Sequence, residues 1–181
     1  MKQKTKHIMR MLSSLLVLAL VMGLMPQMVL TVEAAPVEYK LWVGGTRVTS
    51  ENALDIRAAI PENQKGGKAS YDAETKTLTL DNYKYSGDCV GGYINAGGST
   101  YDCHTVIFVG EANIIDTIII KGNVSLIQSD ASSSPYGLTY LVNDKILTIK
   151  GEGVSPKLTV TSGNTNSGAS NGIYIWKSFV H

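Results

Sequence analysis

The sequence predicts an all-β protein: an N-terminal β-hairpin cap with one short helix, leading into a right-handed parallel β-helix, or solenoid. Three observations predict it. Apolar residues alternate with Thr, Lys and Ser over most of the chain beyond residue 36, the period of a strand with one buried face. Gly, Asn, Asp and Ser pairs punctuate the alternation at turn positions. From about Thr105 short strand-like units recur with a Gly close behind, joined by connectors of very different length.

The first residues read as an export signal. "MKQKTKHIMR" places Lys2, Lys4, Lys6 and Arg10 ahead of the apolar run Met11 to Met25, and "TVEAAP" offers Val32 and Ala34 before a cut between Ala34 and Ala35. The run is short for a membrane span, so the expected product is secreted, extracellular or held at a cell surface, with no membrane contact after cleavage. That region holds four of the sixteen Lys and Arg and one of the fifteen acids, which leaves the remainder with a net charge of −2. A balance so near neutral argues against nucleic acid or anionic lipid as partner, since both select a basic face.

Residues 35–83 read as the hairpin cap. "YKLWVGGTRVTS" is a hairpin turning on Gly44-Gly45, the residue type a two-residue turn demands. "ASYDAETKTLTL" is a second hairpin around Asp72 to Thr75, with Asp72 closing an Asx-type turn and Leu78 and Leu80 on the buried side of the strand after it. Between the two, "SENALDIRAAIPEN" predicts a short helix capped by Ser50 or Asn52 and stopped by Pro61.

Residues 84–181 read as the solenoid coils. Gly110, Gly122 and Gly151 align similar β-forming stretches ahead of them. A single such unit cannot bury its apolar row, whereas stacked units bury a continuous ladder of Ile, Val and Leu. An antiparallel sandwich is the alternative architecture. The pair Cys89 and Cys103, in an exported chain, predicts a disulfide, with two free thiols as the alternative.

The stretch "LWVGGTRVTSENALDI … GGKASYDAETKTLTLDNY" resembles the N-terminal portion of secreted Gram-positive bacterial proteins with a carbohydrate-binding, polysaccharide-lyase-like parallel β-helix. Val43, Gly45, Val48, Thr49, Ser50, Asn52, Ser70, Tyr71, Asp72, Thr75, Thr77 to Leu80 and Asn82 carry the likeness, and Leu147 to Leu158, Val160 and Gly172 to Tyr174 resemble its coil motifs. The chain stops at "GIYIWKSFVH", inside what the resemblance implies is a coil, so it is expected to be a truncated portion.

The resemblance implies a non-catalytic module binding a polysaccharide or cell-wall glycan. Exposed aromatics stack on sugar rings while Asn, Asp and Thr serve hydroxyls, and the candidates are Tyr83, Tyr85, Tyr93, Tyr101 and Asn95, with Tyr136 and Tyr140 in the long connector. Trp42 and Trp176 lie inside strands, where packing is the expected role. A structural or adhesive solenoid is the alternative. A lyase-type enzyme is less supported: the coils contain no arginine, and the acids Asp102, Glu111, Asp116, Asp130, Asp144 and Glu152 are scattered. No catalytic residue, metal site or cofactor is predicted; calcium at Asp81, Asp88 or Asp102 lacks a motif.

Overall fold

The structure, a computed structural model, describes residues 9, 11–18, 20, 34–96, 99–129, 135–142, 145–164 and 170–175. The chain divides into two compact units, Met1–Ala35 and Pro36–His181. In the first, residues 11–18 are helical and exposed. Among the described residues no helix is long and apolar enough to cross a membrane.

The second unit is all-β. It contains β1 (Glu38–Val43), β2 (Thr46–Thr49), β3 (Gln64–Asp72), β4 (Thr77–Gly87), β5 (Val90–Ala96), β6 (Ser99–Val109), β7 (Thr117–Gln128), β8 (Tyr136–Tyr140), β9 (Thr148–Thr161) and β10 (Asn171–Ile175). Both predicted hairpins form. β1 and β2 turn on Gly44 and Gly45, whose φ of +58° and +80° suit glycine. β3 and β4 turn where Asp72 Oδ1 accepts the N–H groups of Glu74 and Thr75.

The predicted helix over 50–63 does not form. Residues 50–54 are turns, and only Pro61–Asn63 makes a single 3-10 turn. Tertiary demands override the local pattern here. Ile56 pairs as an isolated bridge with Ala69 and is fully buried, and the Ala58 N–H bonds to Gln64 Oε1 instead of a helical carbonyl. Asn52 acts as a turn clasp: its side chain accepts from Thr49 N and donates to Arg47 O.

Two mixed sheets result. One has the order β3-β4-β7-β9, the other β10-β8-β6-β1-β2 with β5 paired to β6. β3 meets β4 antiparallel, but β4, β7 and β9 are parallel, so Thr77, Thr117 and Thr148 share one rung and Tyr85, Leu126 and Val160 another. In the second sheet β6, β8 and β10 are parallel, with the β1–β2 hairpin antiparallel on β6. The inner faces share one core: Leu41, Val43, Ile107, Val109, Leu138 and Tyr140 from one sheet, Leu78, Leu80, Ile118, Ile120, Val124 and Leu126 from the other. Each large side chain so buried contributes roughly 1.5–3 kcal/mol.

The predicted glycine alignment shifts. Gly151 lies opposite Ile120, so Gly122 corresponds to Gly153 on β9 and to Asn82 on β4. All three have left-handed backbone, φ +48° at Asn82, +62° at Gly122 and +86° at Gly153. The register shifts at this place in both pairings, so the sheet bends along one line.

Candidate functional site

Of the residues proposed for sugar contact, Tyr83 and Tyr85 lie in the core, 0% and 1% exposed. The left-handed Asn82 lets β4 run on through the bend instead of ending in a loop, and alternation then turns both tyrosines inward. Burial raises both phenols above their ordinary range. Tyr140 is buried as well, its hydroxyl donating to Ile115 O. Tyr93, Asn95 and Tyr101 come together in the β5–β6 hairpin, where Tyr93 pairs with Asp102, Ile94 with Tyr101 and Asn95 with Thr100. Their side chains, like Trp176, lie outside the described residues.

The two cysteines are free thiols, contrary to the expected disulfide. They belong to different clusters. Cys89 faces the core between the sheets and donates to Thr105 O at 3.2 Å, whereas Cys103 packs with Phe108 and Tyr136, 3.8 Å from Thr139 Oγ1. Burial pushes the Cys89 thiol up to about 12 and the Cys103 thiol up to about 11. Neither is a poised nucleophile.

Asp88 ties three elements together just beyond β4. Its Oδ1 accepts from Gln128 Nε2 of β7 at 2.5 Å and lies 2.9 Å from His104 Nδ1 of β6, and its carbonyl accepts the Tyr85 hydroxyl. Gln128 is fully buried, and its Oε1 lies 3.5 Å from the Cys89 thiol. The arrangement ties the segment ahead of β5 to β4, β6 and β7. Among the described residues no three His, Cys, Asp or Glu side chains gather as metal ligands.

The exposed aromatic chemistry stands elsewhere, on the outer face of the second sheet. Arg47, Trp42, Phe108, Thr139 and Tyr174 share one rung across β2, β1, β6, β8 and β10. The sequence puts Trp42 there because Leu41 and Val43 on either side face the core. Tyr174 is half-buried between Ile173 and Ile175, which are 42% and 62% exposed. Trp42 meets the Phe108 ring edge-on, centroids 5.5 Å apart, and carries the Arg47 guanidinium 5.2 Å above its centroid. At the other end Tyr136 and Tyr174 stack, centroids 4.8 Å apart and planes within 18°.

Phe108, Cys103 and Tyr136 are buried, while Trp42, Leu141 and Tyr174 are half-buried around them. The result is a small apolar cluster, closed in the middle and with a partly exposed ring at each end. Arg47 is held by the Glu38 carboxylate at 2.7 Å and by Tyr39 O at 3.1 Å. Sequence reasoning assigned Trp42 to packing and did not single out Tyr174 or Phe108. The parity of Trp42 and Tyr174 against their apolar neighbours was the available signal, but which face meets solvent depends on the strand order.

Comparison of this chain with family models, with curated proteins and with solved structures finds no match.

Proposed function

We propose that this protein is an exported, non-catalytic carbohydrate-binding module whose sugar platform is the Trp42–Tyr174 aromatic row. The observation that carries the reading is the row itself: two half-buried rings, Trp42 and Tyr174, at the ends of one rung on the outside of a sheet, seated on a buried aromatic cluster. Aromatic rings take up the C–H faces of sugars, and a β-sheet holds them without ordering cost on binding. The five-strand rung replaces the tyrosines first expected to do this, two of which are buried. On the same reading the strand pairs β4/β6, β7/β8 and β9/β10 are successive layers of a parallel β-helix, capped at one end by β3 and the β1–β2 hairpin. The parallel pairings support that architecture.

The test is a pull-down. The chain is expressed for export in a bacterial host, recovered from the medium and mixed with insoluble cellulose, xylan, pectin and peptidoglycan, with and without calcium. Retention on at least one polymer, lost in Trp42→Ala and kept in Tyr85→Phe, is the expected outcome. No retention on any of them by a folded protein sinks the reading. Sequencing the N-terminus of the recovered protein tests cleavage between Ala34 and Ala35.

One observation favours a structural or adhesive role as the second reading. Ile146, Val154, Ile173 and Ile175, on or beside the edge strands β9 and β10, are 42–93% exposed. Such a surface suits contact with another protein.

A further inference from the structure

We infer that two copies of this chain join edge to edge through β9, antiparallel, about a two-fold axis between Val154 and Ser155. This goes beyond both readings above, neither of which assigns an occupant to that edge. Among the described residues β9 ends one sheet and β10 the other, each paired on one side only. The apolar rows of the core run out there unfinished. Ile118, Val124 and Leu126 are buried, but Ile149, Leu158 and Val160, in register with them on β9, are half-buried or exposed. Ile173 and Ile175 on β10 continue the buried Leu138 and Tyr140 in the same way. The Thr148 N–H donates back to Asp116 O, so alternation leaves the N–H and C=O of Ile149 and Gly151 directed away from β7. Such an edge is a template for another strand.

The sequence of β9 selects a second copy as that strand. Residues 153–156 stand opposite the single Gly122 of β7, between the pairs Lys121–Glu152 and Asn123–Lys157. The parity of the strand changes there: 149 and 151 are in register with core residues before it, 158 and 160 after it. Folded back on itself about this excursion, β9 sets Ile149 opposite Val160, Gly151 opposite Leu158 and Glu152 opposite Lys157, each pair made twice. Apolar then meets apolar, and acid meets base. Glu152 lies 3.7 Å and 3.4 Å from Lys121 and Lys150, whereas Lys157 has no acidic partner among the described residues of its own chain. Val154, 93% exposed, falls at the axis beside its counterpart. A slip of one residue would set Ile149 against Thr159 or Thr161 and part the charges.

The experiment is sedimentation equilibrium of the chain, expressed for export and recovered from the medium, from about 1 to about 100 μM. A monomer–dimer equilibrium in that range is expected. Lys157→Glu and Glu152→Lys each put like charges opposite one another twice, and each should raise the dissociation constant at least about tenfold. Mixed one to one, the two variants present only opposite charges to each other and should associate within about threefold of the original. Val154→Lys, at a site without packing, should weaken the dimer about tenfold as well, and stands in if circular dichroism shows that Glu152→Lys, beside Lys121, disturbs the fold. Backbone amides of 149, 151, 158 and 160 should exchange more slowly as concentration rises. A monomer at every concentration overturns the inference while leaving glycan retention and contact with a different protein untouched. A dimer insensitive to Lys157→Glu and Val154→Lys overturns it too.

Discussion

Gln128 Nε2 donates to Asp88 Oδ1 at 2.5 Å from a residue that is only 1% exposed. The carboxylate is half-exposed, so its charge matters less than its oxygen, which gives a buried amide its acceptor. Asp88→Ala should therefore destabilise the protein by about 1–3 kcal/mol, the range for stranding a buried donor. Asp88→Asn keeps an oxygen in place and should lose much less. Urea denaturation midpoints of the two variants provide the comparison, and equal losses would show that this hydrogen bond is unimportant.

The buried thiols make stability depend on pH from one side only. Cys89 and Cys103 have an ordinary pKa of 9.0 in the unfolded chain, raised by burial to about 12 and about 11 in the fold. Above pH 9 the unfolded state gives up these protons and the folded state holds them, so stability falls as pH rises towards 11. The slope is at most about 1.4 kcal/mol per pH unit for each thiol. Below pH 9 the two thiols contribute no slope. Thermal melts from pH 7 to 11 should bend downward near 9, and less so in Cys89→Ser. Iodoacetamide at pH 8 should label neither thiol in the folded protein and both in urea.

Tyr83 and Tyr85 sit two residues apart with opposite hydroxyl fates. Among the described residues Tyr83 Oη is the buried polar atom without a hydrogen-bond partner, whereas Tyr85 Oη donates to Asp88 O at 3.0 Å and accepts from Asn63 Nδ2 at 3.3 Å. Tyr83→Phe should be neutral or stabilising by up to about 1 kcal/mol, and Tyr85→Phe destabilising by about 1 kcal/mol or more. Chemical denaturation of the pair decides it. A loss in Tyr83→Phe matching that in Tyr85→Phe would mean that Tyr83 has an acceptor after all.

Gly92 packs directly on the Phe108 ring of the aromatic row. Its φ is +120°, and a Cβ there would stand 2.6 Å from Phe108 Cδ1, inside contact distance. Gly92→Ala should strain β5, displace Phe108 against Trp42 and lower stability by about 1 kcal/mol or more. Glycan retention should weaken at the same time. Unchanged melting temperature and unchanged retention would show that the hairpin and the row are mechanically independent.

What could be read from the sequence was whatever is decided locally. The Gly44-Gly45 and Asp72 turns need only their own residues, and the alternation through Leu78 and Leu80 carries the buried face with it. The helix over 50–63 failed because Ile56 is claimed by a bridge to Ala69, a partner no local window contains. Tyr83 and Tyr85 were expected to be exposed for sugar contact, yet the left-handed Asn82 bends β4 without ending it and both rings turn inward. The spacing of Cys89 and Cys103 suits a bridge, but their clusters lie on different sides of the sheet. The aromatic row was illegible because its members lie on strands brought together by crossovers: β1, β6, β8 and β10 are distant in sequence.

The bend shared by β4, β7 and β9 is a crease stitched at one end. The Asn82 side chain accepts the N–H of Asn123 across the first pair of strands, while on β9 Gly153 has no side chain to make such a stitch, and a Cβ built there would meet nothing within 4 Å. Under mechanical or thermal load the molecule should therefore peel like a seam cut from its loose end. Backbone amide exchange around the crease should quicken first at 153–157, next at 122–124 and last at 82–84.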